Sequence, residues 1–354
     1  MYQMLYTGVI LCLCLTGLFK IYVSPKKHFQ SLMLLSMAIF LSVFSGSRKP
    51  LVDRDYLGYT RWIDNIGSSF SDVVAQGKDI GFILIYKFSS IFSDGYILFF
   101  TLVSFLSILF KLKFSSTIFN GKFTLLIFFL IFSRFYLLHD FTQVRAGLAI
   151  ALASYSIVFL MKYHKKKTYL FVLLAGLIHL SSLLLIVLYV IYGFIKNKRM
   201  FFFLLLALPL LGIFMGEGIK NILPLINSDR LNVYLNGEYM TEKVSLLTSY
   251  YLVRFFVFYF LMFICYSKLI SEYKIYLFFT SLSLFFHAAL SWNDAIALRT
   301  VEVIGLFDMV TLILPLMCLN NRSRLLYGFL IIIVGILFYM STMKIVNPYE
   351  SYIF

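Results

Sequence analysis

Charge is scarce in this chain. Asp, Glu, Lys and Arg supply 13% of its 354 residues and apolar residues 61%, too little polar surface to solvate a soluble globule of this size. The chain therefore reads as an integral membrane protein. Only four cysteines occur, Cys12, Cys14, Cys265 and Cys318, all inside apolar runs. They imply no extracytoplasmic disulfide framework, and Cys12 and Cys14 point to different helix faces, which disfavours a metal pair. No G-x-x-x-x-G-K-[ST] and no G-x-G-x-x-G following a strand is present, so no nucleotide cradle is visible and ATP-driven transport by this chain alone is disfavoured. H-E-x-x-H is missing and the five histidines, His28, His139, His164, His179 and His287, are scattered, which argues against a zinc hydrolase. The first apolar run lacks a basic n-region and a small-residue cleavage site, so it reads as a retained span. No internal repeat, low-complexity tract or soluble domain is evident.

Long apolar runs are what the chain does have. Runs able to cross about 30 Å of hydrocarbon fall near 2–19, 29–47, 95–110, 123–138, 143–161, 200–218, 250–267, 274–291, 300–318 and 325–343. Segments 80–93 and 168–195 have the wrong length for simple spans. The expected fold is a single all-α polytopic membrane domain over 1–354, with about ten to twelve membrane or re-entrant helices. Basic residues at 26–27, 111, 113, 122, 162, 165–167, 196, 198–199, 268, 274, 322 and 324 mark the cytoplasmic side. They can all lie there if 168–195 enters and leaves on that side as a bent or re-entrant hairpin, broken near His179, Ser181 and Ser182. Two substantial outer loops remain, 48–79 and 219–249.

The net charge of +15 needs no nucleic acid, because most of it is this girdle facing anionic lipid. The basic residues left over are more informative. Arg48, Lys49, Arg54, Arg61, Arg145, Lys220, Arg230, Lys243 and Arg299 fall on or near the outer face, where arginine points to anion recognition. Arg145 opens the helix 143–161, and an unpaired guanidinium costs roughly 2.5–3.5 kcal/mol at the centre of a span and less near its edge, so it needs a partner or a wet cavity. Arg134, His139, Asp140 and Arg145 bracket a tight outer turn in which two arginines share one nearby carboxylate; Asp140 could also simply neutralise one of them and cap the next helix. In the first outer loop, Asp53-Arg54-Asp55 has the D-x-D spacing of a cation or carboxylate pair. That loop holds five acidic and five basic residues, so chance pairing and plain surface charge explain the spacing better than a metal site. Tyr56, Tyr59 and Trp62 could stack on sugar rings or anchor the interface. His179 is either a packing residue or part of a site, Arg299 and Glu302 could pair three residues apart on one helix, and Arg254 is a weaker case of the same kind.

Several of these residues sit in recognisable strings. G46-S-R48, D55-Y-L-G-Y59, D79-I-G81, V144-R145-A-G-L-A149, I178-H179-L-S181 and an arginine, Arg299, opening a late span together resemble the EpsG family of membrane proteins, related in role to the Wzy polymerases of bacterial polysaccharide assembly. The resemblance implies a glycosyltransferase of the bacterial inner membrane, with a GT-C-like fold, that joins undecaprenyl-pyrophosphate-linked oligosaccharide repeat units at the outer, periplasmic or exterior face. Donor and acceptor are then lipid-linked glycans embedded among membrane lipids, and a chain-length regulator and a flippase are the expected protein partners. Such chemistry needs charge on the leaving pyrophosphate and a base for the acceptor hydroxyl, with no cofactor and no obligatory metal. The implied assignments are Asp55, His179 and Arg145 to catalysis and Arg48, Arg54, Tyr59, Asp79, Arg134, His139 and Arg299 to substrate binding. Rival readings are a lipid-linked-sugar glycosyltransferase or glycan ligase, and a flippase or transporter of the same lipid-linked glycan.

Overall fold

The computed structural model of the protein describes residues 27–65, 79–92, 95–222 and 243–353. The expected span at 2–19, with Cys12 and Cys14, lies outside the described residues, as do 66–78 and 223–242 of the two outer loops. Among the described residues the structure is helical, and its β pairing is confined to an isolated antiparallel bridge between Arg48 and Ser351. Hydrocarbon offers no partners to backbone N–H and C=O groups, so an apolar run satisfies them internally as helix. Among the described residues six helices are long and apolar enough to cross a membrane, Tyr96–Gly121, Thr124–Thr142, Val144–Met161, Lys198–Ile222, Asp294–Cys318 and Asn321–Ile345, and shorter apolar helices cover Leu32–Gly46, Ile80–Ser90, Leu180–Phe194 and Ser249–Cys265. The chain is a multi-pass, all-α membrane protein.

In order, the helices are α1 (Lys27–Gly46), α2 (Tyr56–Asp64), α3 (Ile80–Ser90), α4 (Tyr96–Thr117), α5 (Thr124–Phe135), α6 (Val144–Tyr155), α7 (Ile157–Met161), α8 (Lys165–Ile178), α9 (Leu184–Phe194), α10 (Lys198–Ile222), α11 (Ser249–Phe260), α12 (Lys274–Ala289), α13 (Asp294–Thr311), α14 (Pro315–Cys318) and α15 (Asn321–Thr342). They form two compact units, Met1–Leu184 with Ile332–Phe354, and Leu185–Ile331.

In the first unit α4 packs against α1, α5 and α6, and α8 lies on α6 and α3. Breaks occur where residues leave the right-handed region. Phe119, Asn120 and Gly121 have φ of 52°, 53° and 77°, and turn the chain from α4 into α5; Tyr163, φ 60°, turns it from α7 into α8. His179 is extended (φ −154°, ψ 119°) between α8 and a 3-10 turn at Leu180–Leu183. The tight outer turn expected between 138 and 143 is instead a π-helical continuation of α5 over Tyr136–Thr142, and every residue from Thr124 to Thr142 except the half-buried Arg134 is buried.

In the second unit, ring contacts Phe201–Phe278 and the approach of Gly212 to Phe285 set α10 parallel to α12. Phe202–Tyr266 and the Tyr259 hydroxyl on the Leu206 carbonyl set α10 antiparallel to α11. Ser283 and Thr280 meet Asp308 and Thr311, so α12 and α13 are antiparallel. This alternation gathers basic residues at one end: Lys274 lies over the Tyr266 ring at 4.0 Å and Lys198 is close enough to act on it electrostatically.

Candidate functional site

Three of the singled-out residues converge in the first unit. Arg145, in the first turn of α6, donates from Nη1 to Asp79 Oδ2 at 2.8 Å. The other oxygen of the same carboxylate, Oδ1, lies 3.5 Å from His179 Nδ1. Asp79 precedes α3 in a left-handed conformation, φ 56° and ψ 29°, and its side chain makes no capping bond to that helix; the carboxylate is turned to the arginine and the histidine instead. A left-handed non-glycine backbone costs of order 1 kcal/mol and is best tolerated by Asp and Asn. The side chain of Asp79 is 7% exposed, against 26% for Arg145 and 27% for His179, so a buried acid lies beside an arginine that donates to it and a histidine 3.5 Å away, both of them partly exposed.

The backbone geometry of this meeting point explains two glycines. A Cβ on Gly81 would lie 3.1 Å from the Leu177 carbonyl, so its absence lets α3 press against the end of α8 just before His179. A Cβ on Gly147 would lie 2.5 Å from the His139 carbonyl, so α6 can start directly against the π-helical turn. The extended conformation of His179, which ends α8, turns its ring toward Asp79.

Tyr59 and Trp62 belong to α2, a helix inside the first outer loop. The Arg145 guanidinium lies 5.9 Å from the Tyr59 ring centroid and 5.4 Å from that of Trp62, within cation–π range. Both rings rest on Phe82, at 5.6 and 6.1 Å, and the last residue of α2, Asp64, accepts from the Tyr96 hydroxyl. The two aromatics thus brace the arginine. Burial pushes the Tyr59 phenol well above its ordinary range; the positive charge of Arg145 opposes the shift and Asp55 adds to it. Tyr59 is therefore a protonated O–H donor at any working pH, and Asp55 is close enough to the site to act on it through the field.

Other expected site residues are placed elsewhere. Arg48 is not presented to a ligand: it is 0% exposed, donates from Nε to Asp53 and from Nη1 to the Ser45 carbonyl, and is boxed by Tyr56, Phe100 and Phe141 at 5.3, 4.8 and 5.3 Å. Tyr56 belongs to that box and is buried, so it is no sugar platform. Asp53 is consumed by Arg48 and, through Oδ1, by the N–H groups of Asp55 and Tyr56 that begin α2, which leaves the D-x-D without a pair of available carboxylates. His139 is fully buried and stacked on Phe135 at 4.9 Å, a packing position and not a binding one. Arg54 is exposed on the loop, Arg134 is half-buried in the last turn of α5, and Arg299 is exposed on α13 in the second unit.

Asp140 neutralises neither arginine. Both of its oxygens accept from Lys111 Nζ, at 2.8 and 2.7 Å, and Lys111 is 1% exposed. Lys111 is thus an internal cation of α4 rather than a member of the cytoplasmic girdle. The Asp140 carbonyl accepts from the Ser45 and Ser104 hydroxyls, which ties the π-helical turn to α1 and α4 just ahead of Arg145.

Every residue of this arrangement falls within the range over which the EpsG family model matches, residues 31–353. The chain belongs to the EpsG family. It is a membrane protein of polysaccharide biosynthesis. No curated protein and no solved structure matches it.

One polar cluster of this EpsG-family chain has members that sequence reasoning passed over. In the second unit Arg254, buried, donates to Asp308 Oδ2 and the Ser283 hydroxyl at 2.7 Å each and to the Tyr250 carbonyl at 2.8 Å, and its Nη2 lies 3.0 Å from His287 Nδ1. A guanidinium can only donate, so Nδ1 accepts and His287 is the neutral Nε2–H tautomer. With each guanidinium nitrogen engaged, the cluster reads as a structural ion-pair network. The signal that would have found it is Asp308 itself, a carboxylate deep within the apolar run 300–318, which demands a cation on a neighbouring span.

Proposed function

We propose that this protein is a polysaccharide repeat-unit polymerase, a glycosyltransferase that transfers a glycan from undecaprenyl pyrophosphate to an acceptor hydroxyl on a second lipid-linked repeat unit, at the outer face of the bacterial inner membrane. The observation that carries the reading is one buried carboxylate, Asp79, shared by an arginine and a histidine that both reach solvent. In the reaction the acceptor oxygen forms a bond to the anomeric carbon, the bond from that carbon to the pyrophosphate oxygen breaks, and the hydroxyl proton must go to a base. The negative charge of Asp79, 3.5 Å from Nδ1, favours the His179 tautomer protonated there, which leaves the Nε2 lone pair to take the acceptor proton. The resulting imidazolium is held by the same carboxylate. Arg145 uses one nitrogen on Asp79 and has donors left for the departing pyrophosphate, whose growing charge a guanidinium stabilises at any working pH.

Charge bookkeeping favours the same sequence of events. With a neutral histidine the triad carries no net charge; after proton transfer it carries one positive charge, at the moment the leaving group becomes more negative. Tyr59 and Trp62 support Arg145, and Arg134, Arg54 and Arg299 remain candidates for contacts to glycan or phosphate. A chain-length regulator and a flippase are the protein partners this role calls for, and a GT-C-like arrangement is the fold it would share.

Purified protein in proteoliposomes, supplied with undecaprenyl-pyrophosphate-linked repeat units and no nucleotide, is expected to produce a ladder of polymer. A single transfer to a different lipid, abolished by chelation and restored by magnesium or manganese, would support a lipid-linked-sugar transferase or ligase. Movement of the lipid-linked unit across the bilayer with no new glycosidic bond would support a flippase.

A further inference from the structure

We propose that the C-terminal segment 347–352, acting through Arg48, Asp53 and α2, is a positioning element for Arg145. The inference rests on the reading of Arg145 given above and concerns what holds it.

Arg48 is a full charge with no exposure, and its counter-ion Asp53 has a second task. While Oδ2 of Asp53 takes the Arg48 Nε, Oδ1 accepts from the backbone N–H groups of Asp55 and Tyr56 at 2.9 and 3.0 Å. These are orphan donors at the start of α2, and a carboxylate there also suits the helix dipole. The same carboxylate therefore fixes where α2 begins. Tyr59 and Trp62 lie one and two turns further along α2, and their rings flank the Arg145 guanidinium. The path from Arg48 to Arg145 runs through one ion pair, one helix cap and one short helix.

What seals the Arg48 end of this path is the C-terminal segment. Ser351 bridges to Arg48. Lys49 N–H donates to the Glu350 carbonyl at 2.9 Å, Tyr352 N–H to Ser47 at 2.8 Å and Asn347 N–H to Val52 at 2.9 Å. The Tyr349 ring is stacked on Phe44 at 4.1 Å, and its hydroxyl donates to the Phe44 carbonyl at 2.8 Å. Tyr349 also lies 6.1 Å from Phe141, one wall of the Arg48 box. The exposed pair Lys49–Glu350, 3.3 Å, adds little. The burial of Tyr349, 2% exposed, is what fixes the segment against the box.

Trp62 reports the far end of the path. The chain has two tryptophans, so a Trp292→Phe background leaves Trp62 alone. In that background Tyr349→Ala and Asp53→Asn are expected to shift Trp62 emission to the red, increase its quenching by iodide, and lower kcat for polymer synthesis, counted per folded protein because both remove buried contacts, by about 10- to 100-fold, the scale on which small misplacements act. Tyr349→Phe keeps the ring and should restore both signals. Unchanged Trp62 emission in both variants would overturn the path from the C-terminal segment to α2, and a shifted emission with undiminished turnover would overturn its role for Arg145. Should Tyr349→Ala fail to accumulate, Tyr349→Leu carries the same two outcomes. Fluorescence is read without turnover, so a wild-type protein that makes no polymer would overturn the polymerase reading and leave the emission result to decide the coupling.

Discussion

Replacing Asp79 by asparagine keeps size and shape and removes one negative charge, and the consequences for stability and for turnover differ enough to be separated. On the stability side, Arg145 is 26% exposed, so water screens part of the lost ion pair. Exchanging a charge-assisted hydrogen bond for a neutral one then costs about 1 kcal/mol. On the chemical side no orientation of the amide can replace the carboxylate. With its oxygen toward Arg145, the amide nitrogen faces His179 Nδ1, which forces the proton onto Nε2 and removes the lone pair that accepts the acceptor proton. With the amide reversed, its N–H groups oppose the guanidinium. Loss of general-base catalysis is worth on the order of 10²- to 10⁴-fold in kcat, or about 3–5 kcal/mol. Asp79→Asn is therefore expected to accumulate and melt close to wild type in detergent while polymer ladders in proteoliposomes collapse, with donor KM changed far less than kcat. Asp79→Glu keeps the charge and should retain much more activity than Asp79→Asn. Turnover within a few-fold of wild type for Asp79→Asn, or a loss of activity that tracks a loss of folded protein, would refute the shared-carboxylate reasoning.

The remaining expectations concern the scaffold and its orientation. Lys111→Met strands the buried Asp140 carboxylate and should destabilise the protein by about 3–5 kcal/mol, read as lower abundance and melting temperature, whereas Lys111→Met combined with Asp140→Leu should recover most of it; losses that simply add would contradict the pairing. A cysteine placed at Asn197 in a cysteine-free background should resist an impermeant maleimide applied to intact cells, because the basic run 196–199 is expected inside. Efficient labelling from outside would reverse the orientation of every helix that follows.

How much of this was legible beforehand depended on what surrounded each residue in the chain. Arg145 and His179 stood out because each interrupts an apolar run, where a polar group must have a reason. Asp79 and Tyr59 stood out through short family-like strings. Their convergence was not legible, since Asp79 and Arg145 are 66 residues apart and single-chain spacing carries no tertiary information at that range. Arg48 and Asp53 look like any loop charges in the sequence, and only the three rings and the C-terminal segment closing over them reveal a buried ion pair. Lys111 was misread for a related reason: close to Lys113 and the end of α4, it satisfies the cytoplasmic charge pattern as well as a partner in the interior. The π-helical turn left no local trace either, because apolar residues at 136–138 suit a helix of either pitch. Helical class and the approximate placement of the long spans followed from composition, for hydrocarbon leaves the backbone no alternative.

The central claim is that Arg145 stabilises a departing pyrophosphate beside His179, and substitution of Arg145 tests it most directly. Polymer ladder length and rate, normalised to the amount of protein in the membrane, should fall to background in Arg145→Ala with abundance preserved, since the side chain is partly exposed at a helix end. Arg145→Lys keeps the charge and loses the planar fork, and should retain only a small fraction of the rate. Normal ladders from Arg145→Ala would contradict the account, and so would full activity in a methionine variant, which would reduce this arginine to packing.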